Sequence, residues 1–263
     1  MKWAKKMSKI KIFIGTSNDE DTWIEKIYLY SLFRNTKSDL DITFLRPKKF
    51  PDWDRWGWGT PFTCFRYAIP ELCGFKGRAI YTDVDQMNLS DIKELWETDL
   101  EGKPFGMVWD TFMANGSKWK NTPYERGWWA DSVVLMDCEK AKGHMAPISE
   151  IAKEKGTYKW PFFEGLGQPF RQKSLPFVKQ LDPVWNSFDG HNTSHLPPVF
   201  DRDKQQMLPL EQIKQVHFTA LSTQPWHPIY SPHGRSTHPR QDIMEVLWRY
   251  AQEVAWISDP QKL

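Results

Sequence analysis

Short apolar runs alternate with helical patterns through the first half of the chain. "KIKIFIG" (9–15) has the period-two alternation of a strand and stops at Gly15. Polar "TSNDED" follows, then apolar residues at helical spacing through Trp23, Ile27, Leu29 and Phe33. "DITFL" (41–45) reads as a second strand. A loop rich in Pro, Gly and Trp (47–59) leads to "TPFTCFRYAIPELCGF", where Thr60 is placed to cap a helix and Pro61 to open it. "GRAIYTD" is again a strand, and "LSDIKELW" opens a helix with Ser90 as cap and Asp91 in the first turn. Further strands are expected in "PFGMVWD" (104–110), "SVVLMD" (132–137) and "IKQVHFT" (213–219), and an amphipathic helix in "HPRQDIMEVLWRYAQEVAWI". Strands and helices in alternation demand an α/β, Rossmann-like fold with a mostly parallel central sheet flanked by helices. Ligands of such sheets gather at the carboxyl ends of the strands, which is where residues 14–18, 83–85 and 110 fall.

Charge narrows the partners. The 263 residues carry 35 Lys plus Arg against 33 Asp plus Glu, a formal net charge of +2, which argues against a nucleic-acid binder. No apolar run approaches the roughly 18 residues of a spanning helix, so no transmembrane segment is expected, and a peripheral membrane contact stays open. The basic N-terminus "MKWAKKMSKIKIF" lacks the apolar core of a secretory signal. Cys64, Cys73 and Cys138 are odd in number and widely spaced, which fits reduced thiols in a cytoplasmic protein. Aromatic residues are frequent, with 15 Trp, and several stand in polar, turn-like stretches such as "PDWDRWGWGTP" and "RGWWADS". Some of these serve the core; others are platforms for flat apolar faces such as sugar rings.

The chemistry concentrates in "AIYTDVDQMNLSDIKELW" (79–96). Residues i and i+2 of an extended segment face the same side, so Asp83 and Asp85 present their carboxylates together at a strand end. Two like charges so placed raise each other's pKa unless a cation sits between them. Mg²⁺ or Mn²⁺ meets that need, because such hard ions take oxygen ligands and leave positions for water and phosphate. The plainer alternative is that both aspartates cap the following helix or lie solvated.

The segment "RAIYTDVDQMNLSDIKELWETDL" resembles the Asp-x-Asp region of the retaining glycosyltransferases of family 8. "TPFTCFRYAIPELCGFKG" is similar to that family's helix with an Arg near the donor, here Arg66, and "SVVLMD" to its central strand. "LDPVWN" (181–186) is similar to its Leu-Asp-x-x-Trp-Asn, and "VHFTALSTQPW" to the segment in which a His completes the metal shell. These blocks keep the family's order from about residue 10 to residue 226. Two departures stand out. Gln224 occupies the place of a Lys that neutralises the diphosphate, with Arg235 and Arg240 as candidate substitutes, and "FFEGLGQPF" (162–170) stands where the family has Asp-Gln-Asp.

The resemblance implies a GT-A-type fold in one domain over 1–263, with a nucleotide-sugar-binding half at 1–137 and an acceptor-side half at 138–263. It implies a nucleotide-diphosphate sugar donor, a UDP-sugar most often, a glycan or other hydroxyl acceptor, and transfer with retention. Asp83, Asp85 and His217 would hold the Mn²⁺ or Mg²⁺. Gly15, Thr16, Ser17, Arg66, Asp83 and Val84 would receive the nucleotide sugar. Asp110, Asp131 and Glu164 are the expected catalytic carboxylates, and Trp185, Asn186, Gln168 and Trp226 the residues toward sugar or acceptor. His227, His233 and His238 fit no standard ligand set. Two other classes compete. A non-catalytic carbohydrate-binding protein of the same fold would bind glycan without metal. A Mg²⁺-dependent phosphatase would carry its Asp-x-Asp at the first strand, with Thr or Val where this chain has Met87.

Overall fold

The computed structural model describes residues 9–20, 22–55, 60–110, 128–145, 147–153, 172–190, 207–219, 224–225, 238 and 240–258. Nine strands are found among them: β1 (Ile10–Gly15), β2 (Leu40–Leu45), β3 (Arg78–Asp83), β4 (Gln86–Asn88), β5 (Phe105–Asp110), β6 (Trp128–Asp137), β7 (Val178–Gln180), β8 (Ser187–Phe188) and β9 (Gln215–His217). The helices are α1 (Trp23–Asn35), α2 (Ile69–Leu72), α3 (Lys93–Trp96), α4 (Cys138–Ala141), α5 (Ile148–Ile151) and α6 (Gln241–Ile257).

Six strands form the main sheet in the order β2-β1-β3-β6-β5-β7. β1 pairs in parallel with β2 and β3, and β5 with β7, whereas β6 runs antiparallel to both of its neighbours, β3 and β5. The sheet is therefore mixed, with β6 alone reversed. That reversal brings the start of β6 to the edge where β1, β3 and β5 end. A small second sheet, β4-β9-β8, lies beyond that edge and carries His217.

Alternation along the strands separates two cores. Ile10, Ile12 and Ile14 pack with Tyr28 and Leu32 of α1 on one face of the sheet. Phe13 and Tyr81 join Phe65, Trp109 and Trp129 on the other. A third cluster gathers Ile27, Met87, Val216 and Phe218 under Ile243, Leu247 and Tyr250 of α6, whose apolar stripe has the expected period. Trp23 and Phe33 are exceptions on α1, exposed at 54% and 59%. Trp23 instead lines an apolar groove of about 690 Å³ with Ile27, Leu247 and Trp248.

Some local expectations are corrected. The segment after Thr60 is a 3₁₀ stretch (Thr63–Ala68) running into α2, and the Thr60 hydroxyl pairs with that of Thr63 at 2.6 Å. Ahead of α3 it is Asp91, not Ser90, whose side chain accepts a backbone hydrogen bond, from the Lys93 amide at 2.9 Å. No helix among the described residues is long and apolar enough to cross a membrane.

Candidate active site

β1 and β3 end side by side, with Gly15 in register with Asp83. The Val84 amide donates to the Gly15 carbonyl at 3.1 Å, which fixes how the chain leaves β3. Glycine is required at 15 for space. A Cβ there would lie 2.8 Å from the Phe62 ring and would run into the Tyr81 hydroxyl. That hydroxyl donates to Asp83 Oδ1. Loop, tyrosine and carboxylate therefore form one contact chain.

Asp83, Asp85 and His217 converge, each offering a ligand atom within 4.8 Å of the others. His217 arrives from β9, paired in register with Gln86 of β4, so the small sheet carries the imidazole to the Asp-x-Asp turn. Its Nε2 lies 3.3 Å from Asp85 Oδ1. Asp85 Oδ1 is buried and, this ion-pair contact aside, makes no strict hydrogen bond among the described residues. Burial pushes the Asp83 carboxyl up to about 6; Arg66 opposes that rise and the Asp85 charge adds to it. His217 moves up as well: burial, the largest single effect, would lower it, but the charge and hydrogen bonding of Asp85 together with the charges of Asp83 and Asp189 outweigh burial. Two carboxylates and an imidazole at mutual ligand distance, one oxygen making no strict hydrogen bond, fit a divalent cation.

Arg66, 2% exposed, is held in place rather than offered to a ligand. Its guanidinium reaches Asp83 Oδ1 at 3.2 Å and Asp131 Oδ1 at 2.7 Å, donates to the Thr63 carbonyl at 2.8 Å, and lies over the Tyr81 ring. Asp131 keeps 27% of its side chain exposed, and the reversal of β6 is what brings it beside Asp83. Asp110, in register with Trp128, is almost fully buried at the end of β5.

The loop after β1 is clamped from behind. Arg46 bonds Glu25 twice, at 2.7 and 2.9 Å, and reaches the carbonyls of Ser17 at 3.0 Å and Asp19 at 2.7 Å. The Thr16 hydroxyl donates to Glu25 at 2.8 Å, so its side chain braces the loop. Neither Glu25 nor Arg46 stands out in the sequence. A buried Glu on a helix face is visible only when its cation, 21 residues on, folds against it.

Other expected site residues lie elsewhere. Trp185 is buried in the core, with Lys214 over its ring at 5.0 Å. Asn186 is fully buried and bonds Ser132 and the Ala130 carbonyl, so it stands behind His217 rather than toward an acceptor. The Val84 side chain is in the core, its amide already engaged. Trp129 is also interior, its indole donating to Ser174 at 2.6 Å. Arg240 is spent on Asp242, Gly190 and Leu208 and does not replace a phosphate-binding Lys. Gln224 does join the site: its amide donates to the Phe218 carbonyl at 2.6 Å and approaches Asp85 Oδ2 at 3.4 Å. His238 is buried against Asp189. Glu164, Gln168, Trp226, Arg235, His227 and His233 lie outside the described residues.

A mixed sheet with an acidic, His-backed corner at its ligand edge is the frame of a GT-A-type glycosyltransferase. Residues 37–230 match glycosyl transferase family 8, and the chain belongs to that family and is a glycosyltransferase. It is 27% identical to Protein CDI of Arabidopsis thaliana over 227 residues, 80% of this chain and 77% of that protein. Its fold is similar to that of the galactosyltransferase LgtC solved with donor and acceptor sugar analogues (TM-score 0.59, 16% identity, 93% of this chain and 96% of that one). It is also similar to the glycosyltransferase GlyE of Streptococcus pneumoniae (TM-score 0.57, 19% identity, 95% of this chain and 64% of that one).

Proposed function

We propose that this glycosyltransferase moves a sugar from a UDP-sugar to a hydroxyl of a glycan or glycoconjugate, with retention, and depends on Mn²⁺ or Mg²⁺ held by Asp83, Asp85 and His217. The carrying observation is the convergence of those three side chains, each with a ligand atom within 4.8 Å of the others, around a buried Asp85 oxygen whose near neighbour is the His217 imidazole. Charge supports it. Arg46, Arg66 and Arg240 are each committed to a carboxylate, so among the described residues these buried cations are already neutralised. A divalent cation at this corner would meet the charge of an arriving diphosphate. A divalent ion there supplies Lewis-acid stabilisation of the charge that develops on the departing diphosphate.

The chain's own part is placement. Tyr81 and Arg66 hold the Asp83 carboxylate, Gly15 opens the space beside it, and the clamped loop at residues 15–19 receives base and ribose. Asp131, partly exposed at the same edge, orients the hydroxyls of the reacting sugar, and Asp110, buried at the end of β5, adds negative charge behind it. The similarity to LgtC, a protein solved with donor and acceptor sugar analogues, supports nucleotide-sugar and glycan partners for this chain too.

Calorimetric titration with UDP tests the reading. Binding is expected with Mn²⁺ and is expected to vanish in EDTA. Equal affinity in the two conditions would overturn metal dependence. Thermal stabilisation by a panel of nucleotide sugars plus Mn²⁺ then identifies the donor.

A further inference from the structure

His217 presents Nε2 to Asp85, so a cation held there meets Nε2 and the ring proton must sit on Nδ1. Behind the ring, Nδ1 lies 3.0 Å from the Ser132 hydroxyl. That hydroxyl lies 3.3 Å from Asn186 Oδ1 and 2.9 Å from Asn186 Nδ2, and Nδ2 is also 3.3 Å from the Ala130 carbonyl. Ser132 and Asn186 are buried, at 6% and 0% exposure, so water does not readily take their place.

These atoms support two directions of donation. In one, His217 Nδ1–H donates to Ser132, Ser132 donates to Asn186 Oδ1, and the two Asn186 amide hydrogens go to the Ala130 carbonyl and the Ser132 oxygen. Every donor has an acceptor and Nε2 is left with its lone pair. In the other, the Asn186 amide donates to Ser132, Ser132 donates to Nδ1, and the proton sits on Nε2 facing Asp85.

We propose that Ser132 and Asn186 are positioning residues forming a hydrogen-bond relay that accepts the His217 Nδ1 proton and so holds the ring in the tautomer whose Nε2 lone pair is available to a metal. To reach that tautomer from the other, Nε2 releases its proton to Asp85 or solvent and Nδ1 takes one up from solvent. The proposal deepens the metal-dependent reading and rests on it. Hydrogen bonds behind a ligating imidazole fix its ring and tautomer, and their loss typically weakens metal affinity by about 10–100-fold. Ser132→Ala would leave Nδ1–H facing a methyl group in a buried space, which penalises the ligating tautomer selectively.

The test is direct Mn²⁺ binding, followed by the loss of the free-ion electron paramagnetic resonance signal, in wild type, Ser132→Ala, Ser132→Thr and Asp85→Ala. Ser132→Ala should raise the Mn²⁺ Kd about 10-fold. Ser132→Thr, which keeps the hydroxyl, should restore it, and Mn²⁺ affinity is compared at a temperature well below the metal-free melting point of every variant. Long-range ¹H–¹⁵N spectra of the Mg²⁺-loaded wild type should show His217 as one Nδ1–H tautomer. Unchanged affinity in Ser132→Ala, with binding lost in Asp85→Ala, overturns the relay and leaves the metal site standing. Equal loss in Ser132→Ala and Ser132→Thr also overturns it, because position 132 would then matter for packing alone. Equal Mn²⁺ binding by wild type and Asp85→Ala overturns the metal reading itself, and the relay with it.

Discussion

The loop after β1 and the corner after β3 leave strands that end in register, yet they settle their charges differently. In the loop, Glu25 and Arg46 neutralise each other with two hydrogen bonds, and Thr16 and two loop carbonyls take up what remains. At the corner, two carboxylates face one imidazole, and the nearby Arg66 is divided between Asp83 and Asp131. The loop is complete within the protein. The corner carries an excess of negative charge that a cation removes. A buried ion pair with its hydrogen bonds satisfied serves as scaffold, whereas a buried carboxylate oxygen outside any strict hydrogen bond marks the place left for a ligand.

Four experiments break or sharpen that contrast, and the largest effect belongs to the corner. Asp85→Ala should reduce UDP affinity in Mn²⁺ to the level found in EDTA while the metal-free melting temperature holds; unchanged affinity contradicts the assignment. Arg46→Ala attacks the scaffold. It leaves Glu25 buried without its partner and should cost about 3–5 kcal/mol by chemical denaturation, whether or not Mn²⁺ is present. A loss of UDP binding at normal stability would instead mean that Arg46 touches the nucleotide.

Gly15→Ala acts where the two regions meet. The added methyl crowds Phe62 and Tyr81, and overpacking of this kind costs about 1–3 kcal/mol. Mn²⁺ affinity should fall with it, because the displaced tyrosine no longer holds Asp83; a stability loss alone would separate loop from corner. The last effect is on pH. Asp83 stands at about 6 in the fold against an ordinary 3.8. Between those values the folded protein keeps a proton that the unfolded chain has released, so this group's contribution to metal-free stability falls as pH rises from about 4 to about 6. Relative to wild type, Asp83→Asn should therefore gain melting temperature across that interval. A constant difference between the two would show that Asp83 titrates normally.

What the sequence revealed follows the range of the interactions. β1, β2, β3, β5 and α6 were legible because alternation and helical spacing are local; Asp83 and Asp85 were marked by their place at a strand end, although Asp85 lies in the bend after β3 and not in extended backbone. The reversal of β6 was not, since "WWADSVVLMD" carries the same apolar run in either direction. β4 and β8 span three residues and two, too few for a period to show. Glu25 with Arg46, and Ser132 with His217, acquire their roles only when elements 21 and 85 residues apart meet. Asn186 and Trp185 were assigned outward because a polar amide beside a Trp suggests a sugar. Burial turned both inward.

The Tyr81 phenol deserves a last consequence. Wedged between the Gly15 backbone and the Asp83 carboxylate, it gives the nucleotide loop and the cation ligand a common mechanical part. On the reading proposed above, whatever factor a cation at Asp83 applies to ligand affinity at the loop, thermodynamic reciprocity returns to the cation, and part of that coupling would pass through this ring.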